Sequence, residues 1–184
     1  MEWVKLFLTY VTRGGKMNKW IFCISLLMIS HMGNAADCFD LAGRDYRIDP
    51  DLLRAIAWHE SGFNPAATGR NSDSSIDVGV MQINSQHFSQ LNSVGITKDH
   101  LYTDPCMNIY TGAYFLALAF KRWGVSWQAV GAYNAGFRQS ERQSLRRFQY
   151  ARKIELIYSA IKRSQRSPVL KSEHKKAKDD FEDK

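Results

Sequence analysis

Apolar positions recur at helical spacing through most of the chain, and cap residues mark where several of these stretches begin. Phe39, Leu41, Ala42 and Tyr46 predict a short first helix that ends before Ile48-Asp49-Pro50. A second helix opens there, with Asp49 as cap, Pro50 at the first helical position and Asp51 in the first turn. On it Leu53, Ile56, Ala57 and Glu60 share one face, which is apolar until its last member, a carboxylate. Gly62 and Asn64-Pro65 stop the helix immediately after. Thr68 to Asp77 is small and polar and predicts a loop, and Val78 to Asn84 alternates as a short strand or extended turn would. Ser85 to Leu91 predicts helix, and Asn92 to Thr103 predicts irregular chain.

Asp104-Pro105 repeats the cap-plus-proline signal and opens the longest clear helix, Pro105 to Trp123, with Ile109, Ala113, Leu116, Ala117 and Phe120 as its core stripe. Ser126 caps a helix from Trp127 to about Asn134, closed by Gly136. After a connection over Gly136 to Ser140, a last amphipathic helix is predicted from Ser144 to Lys162, with Phe148, Ala151, Ile154, Ile157, Tyr158 and Ile161 facing inward. The fold class expected is mainly α, with at most a small β segment near residues 78–83.

At 184 residues one domain is the expectation. The start reads as a targeting segment: Lys19, an apolar run from Trp20 to Ile29, then Gly33, Ala35 and Ala36, with cleavage after Ala35. The run is too short to span a bilayer. Met17 is an alternative start, in which case residues 1–16 lie upstream. Residues 1–35 are thus assigned to a signal peptide, 36–163 to the domain, and 164–184, charged and containing Pro168, to a disordered tail. Export would place the protein in the periplasm, with no transmembrane anchor after cleavage; a signal anchor is the alternative reading of the start. Export also removes Cys23 and leaves Cys38 and Cys106 in an oxidising compartment, where a disulfide between them is expected.

The formal charge is +7, and after cleavage 21 Lys and Arg stand against 17 Asp and Glu. Arg138 to Arg166 holds nine basic and two acidic residues. Arg142, Arg146 and Arg147 read either as a solvated face or as contacts to an anionic partner such as a cell-wall polymer or anionic lipid. Export and the lack of a nucleic-acid-binding motif argue against a nucleic-acid partner.

Glu60 holds the chemical interest. Partial burial and the negative end of its helix dipole both push its pKa upward, as a general acid at a glycosidic oxygen requires. His59-Glu60 lacks the second histidine of a zinc protease helix, because Phe63 stands there, and no histidine pair has metal-ligand spacing. There is neither a nucleophile elbow nor a phosphate loop.

Three segments occur in order: Glu60-Ser61-Gly62-Phe63-Asn64-Pro65, Gly79-Val80-Met81-Gln82-Ile83-Asn84 and Ala132-Tyr133-Asn134-Ala135-Gly136. Asp104-Pro105 with Asn108-Ile109 and Gly112, and Tyr150-Ala151-Arg152-Lys153-Ile154, follow the same pattern. Over residues 38–161 the chain resembles the lytic transglycosylases with a goose-type lysozyme-like domain. It looks most like the specialised subgroup that accompanies conjugation, type III secretion and type IV pilus machines.

The resemblance implies a lysozyme-like single domain acting on peptidoglycan glycan strands, without metal or cofactor. It makes Glu60 the only catalytic carboxylate: acid at the bond between N-acetylmuramic acid and N-acetylglucosamine, then base on the muramoyl 6-hydroxyl to close a 1,6-anhydro ring. Gln82 and Asn84 would line the glycan cleft. Tyr133 and Asn134 would border Glu60, Tyr133 bonding its carboxylate, while Ser61 positions Glu60 or touches substrate. Asp77 reads as a loop-capping aspartate, and Met81 and Ile83 as core. The rival readings are a hydrolytic lysozyme and a non-catalytic wall-binding assembly factor.

Overall fold

The computed structural model describes residues 37–166, so the expected signal peptide and most of the expected tail lie outside the described residues. Among the described residues there are seven α-helices and one small sheet: α1 (Cys38–Tyr46), α2 (Pro50–Ser61), β1 (Thr68–Arg70), β2 (Ile76–Val78), β3 (Ile83–Asn84), α3 (Phe88–Asn92), α4 (Lys98–Thr103), α5 (Pro105–Trp123), α6 (Trp127–Ala135) and α7 (Glu141–Arg166). The mainly helical expectation holds.

The caps act as the sequence implies. Asp49 accepts from the Asp51 amide, Asp104 from Met107 and Ser126 from Ala129, each satisfying an otherwise orphaned N–H of the first turn. Gly62 closes α2 in the left-handed conformation, at φ 60°.

Several expectations are corrected. The polar stretch 68–77 is not all loop: β1, β2 and β3 form an antiparallel meander in which Thr68 pairs with Val78 and Val78 with Ile83. Residues 98–103, expected irregular, form α4, where Thr97 and His100 make reciprocal capping bonds. The last helix begins at Glu141 and runs to Arg166, past the expected boundary at 163, and Gln165 donates to Asp51 at 3.1 Å.

Phe148 faces solvent at 64% exposure instead of the core, and Arg147 takes the inward position at 2%. The cause is the α6–α7 contact: a Cβ on Gly131 would lie 2.3 Å from the Arg147 carbonyl oxygen, so the helix backbones touch there. The Arg147 guanidinium donates to the carbonyls of Gly136 and Arg138, both at 3.1 Å, and lies over the Trp123 ring. It is therefore neither a solvated side chain nor free to meet the wall.

The core runs between α2, α5, α7 and the sheet, with Leu53, Ile56, Met81, Leu116 and Ile154 fully buried. Met81 and Ile83 are core residues, as read. Cys38 and Cys106 form a disulfide that ties the start of α1 to the start of α5.

Candidate active site

Glu60 lies in the last turn of α2, where the cap at Gly62 and the turn at Asn64 send the chain into the sheet. Ser61 secures that turn: its hydroxyl donates to the Val80 carbonyl at 2.8 Å and sits 3.3 Å from that of Ala57. The first motif is thereby tied to the second.

The second motif is held from behind by α5. Buried Asn108 accepts from the Met81 amide at 2.8 Å and donates to the Val78 and Leu101 carbonyls at 2.9 and 3.0 Å. Gly79 has φ +76°, and a Cβ there would lie 2.2 Å from the Asn108 amide nitrogen, so only glycine fits. These contacts give the Asn108 segment its place in the motif set.

Tyr150, from α7, donates its hydroxyl to Glu60 Oε1 at 2.5 Å. This corrects the role expected for Tyr133, whose hydroxyl donates instead to the Met81 carbonyl at 2.7 Å. The two tyrosine rings stack at 6.5 Å between centroids, so Tyr133 supports Tyr150 while anchoring the second motif. The Tyr150 and His59 rings also meet in a T-shaped pair, 5.3 Å between centroids. Sequence reasoning missed Tyr150 although it stands in the closing-helix motif. Its signal was phase: it shares the inward face with Ile154.

Gln82 and Asn84 stand on the sheet side of the site with their amide donors engaged. Gln82 Nε2 donates to Gly79 at 2.8 Å and Ala67 at 3.2 Å, from a backbone at φ 48°. Asn84 Nδ2 donates to Asp77 at 2.8 Å and Ser75 at 3.0 Å, while its Oδ1 accepts from the Gln86 amide. Asn134, one residue past Tyr133, is exposed.

Burial dominates the electrostatics of Glu60 and pushes its pKa from 4.5 up to about 7. The Tyr150 hydroxyl works the other way by bonding the ionised form, and the negative charge of Asp77 adds a further upward push. Burial, reinforced by the Glu60 charge, raises both tyrosines well above the ordinary phenol value, so each remains a neutral donor. Asp77 is engaged at both oxygens, accepting from Asn71 and Asn84 at 2.8 Å each. Among the described residues, no three His, Cys, Asp or Glu side chains gather as a metal cluster. The arrangement can deliver a proton from Glu60 near neutral pH and take one back.

Comparison with known proteins agrees with this geometry. Residues 37–156 match the family described as Transglycosylase SLT domain. The X polypeptide of Escherichia coli is 58% identical over 157 residues, covering 84% of this chain and 93% of that protein. Invasion protein IagB of Salmonella typhimurium is 42% identical over 143 residues, covering 78% of this chain and 88% of that one. The fold is also that of lytic transglycosylase Slt from Pseudomonas aeruginosa, solved as an inactive mutant, at TM-score 0.52 and 19% identity; the match covers 72% of this chain and 24% of that larger one. The chain belongs to the SLT-domain lytic transglycosylases, with a lysozyme-like fold that acts on peptidoglycan.

Proposed function

We propose that the protein cleaves the β-1,4 bond between N-acetylmuramic acid and N-acetylglucosamine and releases 1,6-anhydro-muropeptides. Glu60 protonates the glycosidic oxygen. As a carboxylate it then takes the proton of the muramoyl 6-hydroxyl, whose oxygen attacks C1 and closes the ring. Tyr150 orients Glu60 and steadies its charge between the two steps. Exposed Asn134 and the Gln82 carbonyl oxygen are the groups offered to the sugars, whereas Ser61, Asn84 and Tyr133 hold the cleft wall.

The observation that carries this reading is that, among the described residues, Glu60 is the one carboxylate whose pKa is raised. A hydrolase with two carboxylates needs a second one free to act as nucleophile or to activate water. Asp77, which also acts on the Glu60 pKa, has both oxygens occupied by asparagine amides. That favours ring closure by the substrate's own hydroxyl over hydrolysis.

A periplasmic site of action is supported by residues 1–35, whose sequence fits an export signal, and by the presence of the substrate there. Among the described residues no helix is long and apolar enough to cross a membrane. The likeness to the specialised subgroup, together with 42% identity to a protein named for invasion, supports local wall opening during assembly of an envelope-spanning conjugation, secretion or pilus machine.

Digestion of purified sacculi, with products read by mass, tests the chemistry. Products one water lighter than the hydrolysis products, absent with Glu60→Gln, are expected. Reducing-end products would replace the proposal with a lysozyme. Sacculus binding without any products would leave a wall-binding assembly factor.

A further inference from the structure

Of the nine basic side chains in Arg138–Arg166, two are used inside the fold. Arg147 is buried on backbone carbonyls, and Lys162 pairs with Asp49 and Asp51. The other seven are exposed. Along the outer side of α7 runs a crest of large apolar groups: Leu145, Phe148 and Leu156 are 55%, 64% and 61% exposed.

A single exposed leucine is ordinary. Three large apolar side chains on one helix face are a different feature. At 3.6 residues per turn they fall within about 80° of one another, along about 16 Å of helix. Arg152 and Arg163 share that face, and Arg142, Arg146 and Lys153 flank it. Glu155 pairs with Arg152 and cancels its charge, and Glu141 at the helix start is the one other acidic residue in the segment, so Arg142, Arg146, Lys153 and Arg163 set the charge of this face.

We propose that this face of α7 docks the protein on a bilayer surface containing anionic lipid. Wall carboxylates would satisfy the arginines but offer nothing to Leu145, Phe148 and Leu156. A lipid surface offers both, with headgroup charge for the cations and the upper acyl region for the apolar crest. The geometry has a further consequence. Tyr150 leaves α7 about 150° round from the crest, so docking holds Glu60 on the side of the helix facing away from lipid. The docking proposal stands independently of the catalytic one.

The test is co-sedimentation of the exported protein, without residues 1–35, with vesicles of phosphatidylcholine alone, or with one third phosphatidylglycerol. Two variants are compared: Leu145→Ser/Phe148→Ser/Leu156→Ser, and Arg142→Gln/Arg146→Gln. All five positions are exposed, and circular dichroism confirms that each variant is folded. The wild type is expected to bind the anionic vesicles and to release them as salt rises. The arginine pair should weaken binding by roughly fivefold per charge at low salt, and the apolar triple by tenfold or more. Undiminished binding by the triple variant would overturn the proposal, because residues elsewhere would then hold the vesicles. So would no vesicle binding at all. Self-association that the triple substitution abolishes, without vesicle binding, would assign the face to a second copy of the chain instead.

Discussion

Glu60 sits in a balance between burial, which favours its acid form, and the Tyr150 hydroxyl, which favours its ionised form. The folded-state pKa of about 7 lies above the ordinary 4.5, so the folded protein is penalised when Glu60 ionises. Stability on this account is complete below about pH 4.5 and erodes as pH rises through 7. Glu60→Gln removes the penalty and keeps an oxygen for Tyr150. The variant should therefore unfold like wild type at pH 4 but be more stable by about 2–3 kcal/mol at pH 8, read by thermal melts. Its activity should fall by at least roughly a hundredfold. Tyr150→Phe removes the donor to the carboxylate, so the alkaline limb of its rate–pH profile should move to higher pH while kcat falls roughly ten- to a hundredfold. The rise in the Glu60 pKa was legible in the sequence, because an apolar stripe ending in a carboxylate implies burial. The partner was not. Tyr133 and Tyr150 both stand in matching segments, and only the stacked geometry shows which hydroxyl reaches Glu60.

At the scale of elements, the helix starts were legible because Asp49-Pro50, Asp104-Pro105 and Ser126 are local chemistry that needs no tertiary context. The β1–β2 hairpin was hidden because its strands are three residues each, too short to establish a period. Helix α4 buries only Leu101, so it has no apolar period to detect. The face of α7 was misread for a more specific reason. An arginine fills the inward position by donating to carbonyls, and a phenylalanine is left outside. The junction between the β3 segment and α5 depends on Asn108, which makes three hydrogen bonds in the core. Asn108→Ala strands the Met81 amide and two carbonyls, so it should cost about 3 kcal/mol or more in denaturant unfolding. It should also lower activity by loosening the segment that Tyr133 and Ser61 brace.

Across the whole molecule, the site joins parts far apart in sequence: Glu60 and Tyr150 are separated by 90 residues, and Tyr133 and Met81 by 52. Such contacts form only once α7 packs against α2 and α6, so the lysozyme-like arrangement was accessible through family resemblance and not through local pattern. The disulfide supports the assembly by closing a separation of 68 residues. By loop entropy it stabilises the fold by about 4 kcal/mol. Reduction should lower the melting temperature accordingly while leaving the specific activity of the still-folded protein unchanged at room temperature, since neither cysteine touches Glu60 or Tyr150.

That a half-buried glutamate braced by Tyr150 keeps its proton near neutral pH can be read from NMR titration of the Glu60 side-chain carboxyl carbon. Assignment comes from the Glu60→Gln spectrum. A midpoint near 7 is expected in the wild type and a higher one in Tyr150→Phe. A Glu60 midpoint at the ordinary 4.5, unmoved by Tyr150→Phe, would contradict it.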